Sequence, residues 1–233
     1  MNELISIMET RASMYHLLAR VYRVEVDAGF LEELKASKYP QNTGNEKADK
    51  GYLMLYGYLS KADEATLNEL AVDYARTFLG RGITDASAAY PYESVYTSLR
   101  GLMMQDARDD ALAMYRSMGL DKNSSWRDAE DHVALEFEFM KYLCLQTIQA
   151  IKQDDSFAQS QLIITQHDFF QRHIKNWVPI FAQKIRRYSK TDFYEAFSLV
   201  TEAFLEEDAL VLADLLADVT PAEDSCTSCE EES

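Results

Sequence analysis

Val133-Ala134-Leu135-Glu136-Phe137-Glu138-Phe139-Met140-Lys141-Tyr142-Leu143-Cys144-Leu145 decides the fold class. Wound at 3.6 residues per turn, Val133, Leu135, Phe137, Phe139, Met140, Tyr142, Leu143, Cys144 and Leu145 cover nearly the whole circumference of a helix. Such a helix is central and buried. It is read as core and not as a cofactor box, within a helix predicted over 127–152.

Working outward, the flanking segments repeat the helical period. Leu4, Ile7, Met8, Ala12, Tyr15, Leu18, Ala19 and Tyr22 recur at three- and four-residue steps on one face of a first helix, with Gly29 near its end. A short second helix starts over Phe30–Leu34. Further helices are predicted over 47–60, 64–79 (capped by Asp63), 101–118, 156–175, 177–188 and 191–217. Pro91 suits the first turn of a helix that follows it. The stretches 37–45 and 80–85 are irregular. Only 8 Gly and 4 Pro occur in 233 residues, too few for the turns of an all-β chain. The expectation is an all-α protein, one bundle-like domain of about nine to eleven helices. Its parts are an N-terminal helical part (1–120), a polar hinge (121–127), a C-terminal helical part (128–218) and a disordered acidic tail (219–233).

Charge narrows the partners. The net charge is −16, and it is concentrated: no Lys or Arg follows Lys190, while 13 Asp and Glu lie between Asp192 and Glu232. Setting those aside leaves 26 acids against 23 bases, a net of −3 for residues 1–190. This balance repels nucleic acid and anionic membrane surfaces, which need Lys and Arg to displace counterions. It attracts a basic peptide, or it serves solubility alone. The N-terminus has neither a basic start nor an unbroken apolar run, and no stretch reaches the roughly 20 apolar residues of a membrane span. Cys144, Cys226 and Cys229 lack framework spacing and fit a reducing compartment. The chain is therefore expected to be cytoplasmic, without stable membrane insertion.

Three constellations were candidates for chemistry. Asp128, His132 and Glu136, four residues apart, share one face if helical, and a carboxylate–imidazole–carboxylate stripe can hold a divalent metal. Bundle di-metal sites need Glu-x-x-His pairs, and none occurs. The plainer reading is a hydrogen-bonded histidine at a helix start, with Asp128 or Asp131 as its cap. Cys226-Thr227-Ser228-Cys229 is a lone pair of thiols without a second pair to complete a zinc site. Tyr90-Pro91-Tyr92-Glu93-Ser94-Val95-Tyr96 offers three tyrosines for peptide contact or for ordinary packing. Phosphate-binding glycine loops and nucleophile elbows are missing, and the apolar neighbours of Cys144 argue against a thiolate. No catalysis and no cofactor is expected; the reading is a protein that binds another polypeptide.

The ordered segments resemble the TorD/DmsD/NarJ family of redox-enzyme maturation chaperones, nearest its TorD/DmsD branch. Arg11, Tyr15, Leu18 and Tyr22 look like the family's first helix. Leu70, Asp73, Tyr74, Arg76, Phe78 and Gly80 look like its "L..EY.R.F.G" segment, and Pro91, Glu93, Ser94, Val95 and Tyr96 like its "P.ESVY" element. Asp131, His132, Glu136, Phe139 and Met140 look like "PDHL..EL.FM", with Glu130 in place of its proline. Phe169, His173, Trp177, Pro179 and Phe181 look like "F...HL..W.P.F", and Phe193, Tyr194, Phe204 and Leu205 fit the final helix. Tyr92 stands where some leader-binding members carry Trp.

The resemblance implies a TorD-like fold and a chaperone that binds the twin-arginine leader, the apo form, or both, of a molybdopterin oxidoreductase catalytic subunit. It would assist cofactor insertion and delay export. It further implies a peptide-binding surface of Tyr90, Pro91, Tyr92, Glu93, Ser94, Tyr96, Asp131, His132 and Glu136, with Asp131 and Glu93 meeting the leader arginines. A monomer or a domain-swapped dimer is implied as well. The rivals are a helical metalloprotein or enzyme using Asp128, His132 and Glu136, and a non-specific acidic helical adaptor.

Overall fold

The computed structural model describes residues 2–82, 88–121, 123 and 126–220. Residues 83–85, Lys122, Ser124 and Ser125 of the 121–127 hinge, and all but the first two residues of the 219–233 tail, with Cys226 and Cys229, lie outside them. Among the described residues the chain forms ten α-helices: α1 (Asn2–Arg23), α2 (Ala28–Ala36), α3 (Glu46–Leu59), α4 (Thr66–Leu79), α5 (Glu93–Thr97), α6 (Asp106–Ser117), α7 (Val133–Lys152), α8 (Ser156–Phe169), α9 (Val178–Tyr188) and α10 (Asp192–Val219). One π-helical turn, Phe170–Ile174, follows α8 directly. Among the described residues the only strand-like pairing is an isolated antiparallel bridge between Tyr92 and His132.

The helix pairs follow from which faces are apolar. The stripe of α1 buries Met8, Ala12, Tyr15, Leu18 and Tyr22, and it lies along α7, whose Phe137, Met140, Leu143 and Cys144 are wholly buried. Helix α3 packs against α10, α8 against α7, and α9 against α10. Elements from both ends of the chain thus share one core. Its centre is aromatic: Tyr22 meets Phe181 at 5.2 Å, Phe78 meets Tyr194 at 5.3 Å and Phe139 meets Phe169 at 4.7 Å between ring centroids, all three edge-on.

Two buried acids tie the pairs together. Asp73 of α4 accepts from the backbone N–H of Lys190 (2.9 Å) and Thr191 (2.8 Å) and from Thr191 Oγ1 (2.7 Å), anchoring the start of α10. Asp208 of α10 accepts from Arg11 Nε (2.5 Å) and Tyr15 Oη (2.6 Å) of α1.

Several predicted boundaries move. The long helix starts at Val133, not 127, because Asp128–Asp131 form a bend and turn and His132 is extended (φ −75°, ψ 132°). Helix α6 starts at Asp106, not 101: Gly101 (φ 61°) and Met104 (φ 57°) take left-handed backbone that no helix accommodates. Gly29 lies inside α2, since α1 already ends at Arg23. Asp63 accepts from Ala65 N and Thr66 Oγ1 just ahead of α4, a turn before the helix instead of its N-cap. Pro91 precedes α5 by two residues and is not in its first turn; its carbonyl accepts from Val133 N at 2.9 Å.

Candidate functional site

The Tyr90–Tyr96 segment and the Asp131–Glu136 segment, some forty residues apart in sequence, are laced together. Besides the Val133–Pro91 bond, Glu93 N donates to Asp131 O (2.9 Å). The Asp131 carboxylate reaches the start of α5 and accepts from Ser94 N at 2.9 Å. Tyr92 Oη donates to Asp128 Oδ1 at 2.8 Å, and the Tyr92 ring stands edge-on to His132 at 5.1 Å.

His132 is itself the N-cap of α7. Its Nδ1 accepts from Ala134 N at 3.1 Å, which a neutral ring can do and a protonated ring cannot. Burial lowers its pKa to about 4, in keeping with that role. This corrects the expectation that Asp128 or Asp131 caps the helix. It also removes the Asp128–His132–Glu136 stripe. Asp128 is exposed and precedes the helix, while Glu136 is buried within it. Among the described residues no group of three His, Cys, Asp or Glu side chains is placed to hold a metal ion.

Glu93, Ser94, Asp131, His132 and Glu136 are each no more than 3% exposed, and Pro91 is buried; Tyr90, Tyr92 and Tyr96 are half-buried. Glu136 Oε2 accepts from Trp177 Nε1 (3.2 Å). Burial first, then the charges of Glu93 and Asp131, hold the Glu136 carboxyl well above the ordinary range, and burial likewise raises Asp131. Glu93 Oε2 pairs with His173 Nδ1 at 2.9 Å. Cys144 Sγ lies 3.5 Å from Gln166 Oε1, and burial pushes its thiol up to about 11, so it is no nucleophile at neutral pH.

This buried lattice backs onto an open cleft of about 680 Å³, lined by Glu93, Asp106, Asp109, Asp110, Arg172 and His173, with Asn176 at its edge. Four carboxylates face a single guanidinium there. The cleft is continuous with the 98–105 loop through Thr97, Asp106 and Ala107.

The sequence profile described as "Nitrate reductase delta subunit" matches residues 45–183. The chain belongs to this family. Chaperone protein TorD of Vibrio cholerae is 25% identical over 222 residues, covering 92% of this chain and 97% of that protein. Chaperone protein TorD of Aliivibrio fischeri is 26% identical over 220 residues (91% and 99%). That of Photobacterium profundum is 30% identical over 156 residues (66% and 68%). The resemblance read from the sequence motifs is thereby borne out. The family match spans both laced segments and the His173–Phe181 stretch.

Asp106, Asp109, Asp110, Arg172 and Asn176 escaped the sequence reading, and His173 figured there only as a family residue. The Asp106-x-x-Asp109-Asp110 spacing reads as an ordinary solvated helix start. Only the docking of α6 against the π-helical turn sets it opposite His173.

Proposed function

We propose that this chain is a cytoplasmic redox-enzyme maturation chaperone, acting by binding and not by catalysis. It takes the twin-arginine leader, the apo catalytic subunit, or both, of a molybdopterin oxidoreductase, and releases the client once its cofactor is loaded. The observation that carries this reading is the lacing of the two family elements, Pro91–Tyr96 and Asp131–Glu136, into one unit behind an acidic cleft. A basic leader is the complementary partner. Similarity to the chaperone protein TorD of Vibrio cholerae and of Aliivibrio fischeri supports it. The half-buried Tyr90, Tyr92 and Tyr96 supply apolar contact; the buried Glu93, Ser94, Asp131, His132 and Glu136 hold their shape. A monomer binds one leader, and exchange of helices between two copies gives the dimeric form.

The test is co-expression of the tagged chain with a molybdoenzyme precursor from the same host. The precursor is expected to co-purify, and deletion of its leader is expected to abolish or sharply weaken capture. Equal capture of unrelated apolar peptides would mean a non-specific adaptor and overturn the proposal. Calorimetry on Tyr92→Ala, with circular dichroism as the folding control, is expected to weaken leader binding several-fold.

A further inference from the structure

The acidic cleft already holds an arginine. Arg172 Nη2 bonds Asp110 Oδ2, and Nη1 reaches Asp168 Oδ2 at 3.3 Å. Both Arg172 and Asp110 are about half exposed, at 44% and 50% of their side chains. Behind Asp110 lies His173, only 2% exposed. Its Nε2 makes no hydrogen bond and sits 3.7 Å from Asp110 Oδ2. Nδ1 pairs with Glu93 Oε2 at 2.9 Å, so the ring stands between two carboxylates with Nε2 unbonded at the back of the cleft. The carboxylates lining the cleft around this unsatisfied nitrogen favour a cationic hydrogen-bonding ligand. The π-helical turn that sets His173 is a local irregularity of the kind that recurs at binding sites.

Beside the cleft, the loop joining α5 to α6 exposes Leu99, Leu102, Met103 and Met104, with Leu99 fully in solvent. An apolar group of this size in one short loop marks a contact surface. Acid cleft and apolar loop adjoin in the order that a ligand with a basic end and an apolar continuation requires.

We propose that Arg172 is a resident surrogate for a partner's arginine. The paired arginines of a basic–apolar peptide displace it from Asp110, form charge-assisted bonds to Asp110 and its neighbours, and lay the apolar continuation on Leu99–Met104. This rests on the leader-binding reading above and assigns its arginine seat. Self-occupancy lowers affinity for any cation that cannot match a guanidinium's fork, and so serves selection as well as binding.

The test is fluorescence anisotropy with the full-length protein and a labelled synthetic peptide of two adjacent arginines followed by a leucine–alanine stretch. Asp110→Asn is expected to weaken binding about tenfold, the loss of one charge-assisted pair. Arg172→Gln is expected to tighten it about fivefold, since the competing surface ion pair is gone. Lys35→Gln, which removes the same charge from α2 at a residue that does not line the cleft, is expected to change affinity less than about twofold, as an exposed charge outside the seat should. A peptide with two lysines is expected to bind wild type more weakly and to respond less to Arg172→Gln. If wild type binds but Asp110→Asn is silent, or Arg172→Gln merely matches Lys35→Gln, the surrogate idea is wrong while leader binding stands. If wild type does not bind the arginine peptide, both fall. Circular dichroism confirms that these surface variants are folded.

Discussion

Glu136 is a carboxyl group with no solvent around it, facing Glu93 and Asp131 across the floor of the site. Its folded pKa lies above the ordinary 4.5, so the native state keeps a proton that the unfolded chain releases. Linkage then fixes the sign: Glu136 costs no stability below 4.5 and costs progressively more as pH rises through its folded pKa. His132 works oppositely. Its pKa falls from 6.5 to about 4 on folding, so stability is lost as pH drops across that window. Glu136→Gln keeps an acceptor for Trp177 Nε1 and removes the charge. It is expected to raise the melting temperature at neutral pH and to leave it unchanged below 4.5. Scanning calorimetry across pH checks this; a variant less stable than wild type at pH 7 would show that the carboxylate is needed. The residue types of this site were legible in the sequence, but their roles were not. Spacing allowed His132 and Glu136 a ligand face beside the plainer reading of a hydrogen-bonded histidine at a helix start; the structure makes His132 the cap itself and buries Glu136 so that its proton is held more tightly.

Helix α3 carries two glycines that the sequence does not distinguish. A Cβ on Gly51 meets Val200 Cγ2 at 2.8 Å and Ala196 O at 3.0 Å, both on α10. A Cβ on Gly57 meets nothing within 4 Å. Gly→Ala in a helix gains about 1 kcal/mol from propensity, and overpacking costs about 1–3 kcal/mol. Gly57→Ala is therefore expected to stabilise by about 0.5–1 kcal/mol, and Gly51→Ala to destabilise by about 1 kcal/mol, read by urea denaturation. Opposite signs on one helix isolate the α3–α10 approach as the cause. The start of α10 depends likewise on another element. Asp73→Ala strands the N–H groups of Lys190 and Thr191 and is expected to cost about 3 kcal/mol. A loss under about 1 kcal/mol would mean that water replaces the carboxylate. Helix existence and apolar faces were readable from period alone. Helix starts were less so where distant groups fix them: Pro91 and Tyr92 hold the approach to α7, which starts six residues later than its period suggests, whereas α10 starts within one residue of the reading.

Across the whole molecule, a buried charge network helps to join α1 to α10. Arg11 of α1 bonds Asp208 of α10 and Gln166 Oε1 of α8, and Tyr15 Oη closes the set. Arg11→Ala leaves Asp208, 2% exposed, with only a hydroxyl. It is expected to cost about 3–5 kcal/mol, and Arg11→Met with Asp208→Leu is expected to recover most of that. Equilibrium unfolding of the single and double variants decides; a mild single variant would place the join in the α1–α7 apolar face alone.

The amino-acid sequence by itself determined that this chain is helical, which faces are buried and which family it resembles. Helical period, glycine scarcity and ordered motifs are properties of local chain chemistry, and they survive without coordinates. The tertiary structure alone decided that the laced motifs are mostly interior. It alone placed Arg172, His173 and the α6 carboxylates around one cleft. Those contacts join residues some sixty positions apart, and which faces meet is set by how helices pack in three dimensions, about which local spacing is silent.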